Sequence, residues 1–485
     1  MRPRTQLLSG DLIGRILREA FELLMSPGVR VGSAPVVELL QAAGVEVTDG
    51  VARLPETLVR KCLASAPRDF YLYNRRGEKA VHYGGDDVHF DPGSCCVQML
   101  DPETLEARPS ETRDLVRIVQ VAENLPQFAA QSTAVVCNDA PSMIGDLYRL
   151  LVVLQHSDKP VVTGSFSAAG LQGMIDLLVA DSGSAEKLRR EPRAVFDVCP
   201  SPPLNWSEFG SHNLLDLAHA GVPAEIVAVP LAGGTAPVTL AGSVTQHAAE
   251  VLAGITLHQL AGAGSPVVWG GAPAIFDMRT GGAPMGAVET AMLNMACAEV
   301  GKHLGLPTHG YLVATDSKFV DAQAGAESAR SAMLGALAGI NMISGAGMIE
   351  SLACHSVEKL VMDAESIASA QRLARGIEVR GDDVRGESLA TAMFAQTGLS
   401  GEFLKLKETR ALFRQEQYLP SAVIDRSARG SEPPTDIFAR ARTRVDELVS
   451  VYRKPSLAGD VLRKFQAIVE REAERAGVVA GLPGN

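Results

Sequence analysis

Strand-length apolar runs recur along the chain at a steady interval: Thr133–Cys137, Pro160–Thr163, Ala194–Cys199, Glu225–Val229, Pro266–Trp269, Tyr311–Ala314 and Ile340–Ile343. Their starts lie 27, 34, 31, 41, 45 and 29 residues apart. Between them stand helix-length stretches such as Ile144–Gln155, Leu171–Ala180, Leu214–Ala220, Val244–Leu260 and Ala287–Leu304. Parallel strands need a long crossover between them, and a helix supplies it. Seven or eight such units point to an α/β chain folded as a TIM-type (β/α)8 barrel. An open doubly wound sheet also alternates strand and helix, but no GxGxxG stands on the first strand-to-helix turn to support it.

The flanks have a different texture. Ile13, Leu17, Phe21 and Leu24 fall on one face at helical spacing, followed by the apolar stretches Val36–Ala43 and Leu58–Ala64. Leu72–Met99 is β-like, with turns at Gly84-Gly85 and Asp91-Pro92-Gly93, and reads as a small hairpin ahead of the barrel. Past residue 400 the pattern is helical again, with a polar connector at Ser427–Asp436 and a charged last helix at Leu457–Ala476. The expected division is an N-terminal helical and hairpin layer at 1–105, a barrel at 106–400 and a C-terminal helical extension at 401–485. The extensions make a homo-oligomer the expectation.

With 46% hydrophobic and 21% charged residues the chain can bury a large core. A net charge of -11 and the lack of a basic run exclude a nucleic-acid groove. No apolar run reaches the about 18 residues that a membrane span needs, and Asp11, Arg15, Arg18 and Glu19 interrupt the first one. A cytoplasmic protein is expected. Seven scattered cysteines without a CxxC pair fit reduced thiols.

Chemistry on a barrel belongs at the C-terminal ends of the strands. Asp316, Lys318, Asp321 and Gln323 crowd the loop after Tyr311–Ala314, and Glu350 follows the last strand. A capping role at a helix start, with Asp316 or Ser317 as the cap and Asp321 in the first turn, is the plain alternative. Thr235 lies in a loop of small residues after Glu225–Val229 that suits either a close ligand or a tight turn. Trp206, Trp269, Phe276, Phe319 and Tyr311 stand at or near strand ends and offer faces for a methylammonium cation, or packing at the rim. Arg279 and Lys318 are candidates for pairing with a substrate carboxylate, and Lys318 equally for an internal ion pair. His89 with Cys95 and Cys96, or Cys354 beside His355, has no convincing zinc spacing, so no metal site is expected. No GxSxG surrounds any serine.

Gly234-Thr235-Ala236-Pro237-Val238-Thr239-Leu240-Ala241-Gly242, Asp316-Ser317-Lys318, Asp321-Ala322-Gln323-Ala324-Gly325 and Gly345-Ala346-Gly347-Met348-Ile349-Glu350 together resemble the trimethylamine methyltransferase (MttB-like) family. Phe90–Pro102 resembles the family's loop into the barrel, and Arg414-Gln415-Glu416-Gln417-Tyr418-Leu419-Pro420 its RxEQxxP element. The resemblance implies a TIM barrel that moves a methyl group from a methylated amine to the cobalt of a corrinoid (cobalamin) carried by a cognate partner protein. Members acting on trimethylamine use pyrrolysine, whereas this chain has only the twenty standard residues. Members without it are similar in fold and tend to demethylate quaternary amines such as betaines.

On that reading Asp316, Asp321, Gln323 and Glu350 shape the field of the mouth, Trp206, Trp269, Phe276, Tyr311 and Phe319 cradle the cation, and no cofactor is held tightly by the chain itself. A quaternary ammonium departs as a neutral tertiary amine, so the task is positioning and water exclusion rather than acid catalysis. Rival readings are acid–base chemistry on Asp316, Asp321 and Glu350, a folate as methyl acceptor, and a noncatalytic binder of a methylated solute.

Overall fold

The computed structural model describes residues 3–166, 170–380, 388–428 and 434–478. Of the connector read at Ser427–Asp436, residues 429–433 lie outside those described.

Two parallel ladders form its centre. Five strands run in the order Val267–Gly271, Ala224–Ala228, Ala194–Val198, Val161–Gly164, Gln131–Ser132, and three in the order His309–Tyr311, Met342–Ala346, His89–Pro92. The longer strands are buried along nearly their whole length, as parallel strands covered on both faces are. The ladders touch at both edges. Trp269 bridges to Thr308 in parallel register, with the Trp269 N–H donating to the Pro307 carbonyl at 2.9 Å. At the other edge the Ala129 N–H donates to the Phe90 carbonyl at 3.0 Å.

Helices follow the strands as the repeat requires: Gly145–His156, Gly170–Ser182, Glu208–Ala220, Leu240–Ala261, Val288–His303, Ala322–Ala338 and Val357–Arg375. Side-chain oxygens start several of them. Ser207 accepts from the Gly210 N–H, Asp321 from the Ala324 N–H and Ser356 from the Lys359 N–H. Gly221 and Gly339 end two of them at φ 68° and 72°, a conformation that costs a glycine little.

The hairpin expected before the barrel is Phe70–Tyr73 paired with Lys79–Tyr83. Its Leu72, Val81 and Tyr83 pack with Ala130, Val162, Val195, Val268 and Met342 in one apolar cluster. Those strand residues lie at the N-terminal ends, so the hairpin stoppers the bottom of the interior and leaves the C-terminal ends for chemistry. Two strands were not among the apolar runs: Gln131–Ser132 ends just before the run at Thr133–Cys137, and the other is His89–Pro92. His89–Pro92 pairs in parallel with Met342–Ala346, although its sequence His-Phe-Asp-Pro lacks β-branched residues.

The first helix, Gly10–Met25, buries Ile13, Ile16, Leu17, Ala20, Phe21 and Leu24 against Leu240–Ala261. Each large side chain so buried stabilises by about 1.5–3 kcal/mol. Helix Ile437–Val451 covers Val357–Arg375, and Gly459–Arg475 covers Gly170–Ser182. No described helix is long and apolar enough to cross a membrane.

Candidate active site

The loop after His309–Tyr311 is a rim built from hydrogen bonds. The Asp316 carboxylate accepts from the N–H groups of Met285 (2.7 Å) and Gly286 (3.0 Å) and from Ser351 Oγ (2.7 Å), so one side chain ties three strand-end loops together. Asp321 caps the next helix and accepts from Ser317 Oγ at 3.0 Å. Gln323 donates to Glu327 Oε1 at 3.0 Å, while Glu327 Oε2 holds Thr315 Oγ1 and the Asp316 N–H. Glu350, Ser351 and Leu352 all have positive φ, a run in which non-glycine residues are strained. Lys318 is 72% exposed, with Nζ 3.9 Å from Glu350 Oε1.

Hydrogen bonds to a charged acceptor contribute about 1.5–3 kcal/mol each. Asp316→Ala is therefore expected to speed amide exchange at Met285 and Gly286 by about ten- to a hundredfold. Unchanged exchange at both amides would show that the rim is held by something else.

The remaining sequence candidates are spread widely. Trp206 is fully buried, strand-paired with Val31, and its ring lies against Gly254 and Ile226. Trp269 is buried on the helix side, with Nε1 donating to the Cys297 carbonyl at 2.9 Å and the ring beside His247. Thr235 is exposed and its hydroxyl accepts from the Leu231 N–H at 3.0 Å. Phe276 is half-buried and lies over Gly234. Arg279, 88% exposed, clasps Asp277 at 2.8 Å. Phe319 is exposed at an apolar cavity shared with Leu105, Met362 and Phe438. Tyr311 alone of these candidates points to a deeper cluster.

That cluster lies within the strands. Asp91, Asp197 and Glu225 sit on three of them, joined by Tyr83 from the hairpin and by His309, Tyr311 and Ser344. Tyr83 donates to Glu225 Oε1 at 2.5 Å and Ser344 Oγ to Asp91 Oδ1 at 2.6 Å. Ser344 Oγ is also 3.1 Å from His309 Nε2, and His309 Nδ1 is 3.8 Å from Glu225 Oε2. Tyr311 Oη donates to the Ser94 carbonyl at 2.9 Å and lies 3.4 Å from Asp197 Oδ2. Asp91 Oδ2, Asp197 Oδ1, Glu225 Oε2 and His309 Nδ1 are buried with no hydrogen-bond partner within the protein. Such groups are costly unless a proton or a ligand meets them.

Burial governs the protonation of the group. It pushes Asp197 up to about 6, opposed by hydrogen bonds from Glu225 and Tyr311. Glu225 is raised further, first by burial and then by the Asp197 charge, and Asp91 is raised by burial. Burial and the neighbouring Asp197 charge both favour the protonated form of Glu225. Asp197 Oδ1 is closed to water, whereas Cys199, two residues on at the strand end, is exposed. A Cβ on Gly164 would touch Asp197 Cβ at 3.7 Å and Phe166 Cζ at 3.8 Å, so an aromatic ring, 62% exposed, flanks the acid at the strand end. Among the described residues no group of three or more His, Cys, Asp or Glu side chains is arranged to hold a metal ion.

Residues 1–477 match the trimethylamine methyltransferase (MTTB) family. The chain belongs to that family. It is 31% identical over 487 residues to a trimethylamine methyltransferase of Methanosarcina mazei, covering 97% of this chain and 95% of that one. It is 28% identical to a trimethylamine methyltransferase of Desulfitobacterium hafniense, over 98% of this chain and 95% of the other. A glycine betaine methyltransferase of Desulfitobacterium hafniense is 27% identical, over 98% of each chain. Among solved structures, the monomethylamine methyltransferase of Methanosarcina barkeri shares the fold, with a TM-score of 0.54 over 98% of this chain and 90% of that one at 12% identity.

Proposed function

We propose that the protein is a methyltransferase that moves a methyl group from a quaternary amine to Co(I) of a corrinoid carried by a cognate partner protein. The observation that carries this is the cluster of three buried carboxyl groups with orphaned oxygens, with Tyr311 beside Asp197. Negative charge in a water-poor setting favours an organic cation, and the Tyr311 ring beside Asp197 adds an aromatic face.

The cation loses its charge as the methyl departs, so a full carboxylate held against the nitrogen would stabilise the ground state more than the transition state. Burial holds Glu225 toward its neutral form, which dilutes that field. The corrinoid supplies the cobalt nucleophile; the chain's own residues bind the ammonium, orient one N-methyl toward the opening and exclude water. Of the sequence candidates, we assign Tyr311 to the cation wall and Asp316, Asp321, Gln323 and Glu350 to holding the rim, with Lys318 and Arg279 outside the cluster. We further propose that the two ladders close into the (β/α)8 barrel, a reading supported by the hydrogen bonds at both edges.

The test is to mix the purified protein with Co(I) cobalamin or its corrinoid partner and a panel of quaternary amines and trimethylamine. Methylcobalamin absorption appearing with a quaternary amine is the expected result. Turnover without any corrinoid, or with a folate in its place, would replace the acceptor. Saturable amine binding without transfer to active cobalt would leave a binder rather than an enzyme.

A further inference from the structure

After Val357–Arg375 the chain forms an arm, described over residues 376–380 and 388–420, before Val423 takes it back into the core. Its helices Thr391–Thr397, Phe403–Lys405 and Lys407–Glu416 bury no residue. Helices this short are marginal in water, and packing of an apolar face is what ordinarily holds them. On this arm the apolar side chains face solvent: Leu399 is 99% exposed, Ile377 87% and Leu404 84%, and Leu389, Phe394 and Leu419 are exposed as well. The arm is shaped all the same. The Phe394 and Phe403 rings meet edge to face at 5.1 Å, Arg372 donates to the Glu416 carbonyl at 2.7 Å, and the Tyr418 hydroxyl donates to Glu365.

At the root of the arm lies a groove of about 1220 Å³, lined by Pro3, Leu373, Ile377 and Tyr418 with Arg4 and Arg372. One chain thus carries an uncovered apolar arm and an unfilled apolar groove side by side. At about 200 Å² for a large side chain, the six exposed residues named above present roughly 900 Å². A soluble monomer seldom bares more than about 300–600 Å² in one patch, whereas each partner in a stable interface gives about 800 Å². The charges on the arm pair among themselves, Lys405 with Glu402 and Arg380 with Glu416. A face of one sign would repel its own copy, but a balanced face can meet an identical one.

We propose that a second copy of this chain covers this face, in a two-fold interface that buries the arm and the groove at its root together. Val357–Arg375 starts beside the strand ends that precede Glu350 and runs back along the strands, so the arm begins at their opposite end. Tyr418 lines a second groove there with Val88, which precedes the strand His89–Pro92, and with Ala336 near the end of Ala322–Ala338. Two chains joined in this way keep their Asp316 rims free for another protein.

Sedimentation equilibrium of the full chain at micromolar concentration, beside Leu399→Glu with Leu404→Glu, tests the interface. The parent is expected at twice the 51.2 kDa of one chain, or at an even multiple of it, and the double variant at half the parent's mass. The corresponding Kd should rise at least about a hundredfold, the scale for losing two central apolar contacts. Both side chains are exposed in the single chain, so the variant keeps its fold, which circular dichroism reads directly. A monomeric parent overturns the proposal. So does an unchanged mass in a folded double variant, since the copies would then meet through another surface.

Discussion

Asp197→Asn is expected to weaken binding of the quaternary amine by about tenfold, since its negative charge acts on the cationic ground state more than on the transition state, while making the folded protein more stable at alkaline pH. The two effects have one cause. In the unfolded chain this carboxyl ionises near 3.8, whereas in the folded protein burial holds it to about 6. Between those values the folded state keeps a proton that the unfolded state has released, so stability falls as pH rises through the window and stays lower above it. Asparagine has no charge to desolvate. Two pH units correspond to at most about 3 kcal/mol, and the coupled titration of neighbouring Glu225 reduces this, so a gain of about 1–3 kcal/mol is expected at alkaline pH. Calorimetric melting of both proteins from acid to alkaline pH measures it: the curves should coincide below the unfolded value and separate above the folded one. A variant that melts lower than the parent at alkaline pH would mean that Asp197 is stabilised by a partner.

The same ionisation governs ligand affinity in the opposite sense. A quaternary ammonium keeps its charge at every pH, so any change in its affinity belongs to the protein. Binding should strengthen as pH rises through about 6, and Asp197→Asn should flatten that profile.

Strand and helix order was legible in the sequence because the runs Pro160–Thr163, Ala194–Cys199, Glu225–Val229 and Pro266–Trp269 are dense in β-branched and small residues and recur at crossover distance. The strand His89–Pro92 was not, since its pairing with Met342–Ala346 comes from tertiary placement and its residues have no strand preference of their own. The rim acids were conspicuous for a reason unrelated to catalysis. A loop that ends in a helix cap and ties neighbouring loops together needs carboxylates, and Asp316 and Asp321 serve those amides. Asp197 and Glu225 were quiet because each stands alone inside an apolar strand, Ala194-Val195-Phe196-Asp197-Val198 and Ala224-Glu225-Ile226-Val227-Ala228. That isolation was the available signal. A parallel strand is buried on both faces, so a single carboxylate within one must be neutralised by a proton, a partner or a ligand. Tyr83 and Phe166 carried no local mark, because only the fold brings the hairpin to Glu225 and the end of Val161–Gly164 to Asp197.

Replacing Lys359 by methionine is expected to destabilise the protein by about 3–5 kcal/mol, because it leaves a buried carboxylate without its partner. Lys359 Nζ lies 2.5 Å from Asp363 Oδ2 and 2.9 Å from the Val313 carbonyl, in a setting closed to water. Asp363 also accepts from the Gly347 N–H at 2.8 Å, so the pair joins the chain ends that leave two adjacent strands. Val313 has φ 65°, a conformation that a β-branched residue adopts only when its surroundings impose it. Ser331 Oγ accepts from its N–H at 2.9 Å, and Ser328 Oγ and Lys359 Nζ both donate to its carbonyl. This strained residue turns the chain between Tyr311 in the cluster and Asp316 on the rim. Urea denaturation of Lys359→Met should show the loss, and Lys359→Met with Asp363→Leu should recover most of it, since apolar replacements of a buried ion pair are often neutral in stability. Activity should not recover with it. The double variant still lacks the donor to Val313, so Tyr311 and the rim lose their fixed relation, and methyl transfer should stay low at restored stability. A double variant that regains both would reduce the ion pair to packing and leave the Val313 turn without a part in the site.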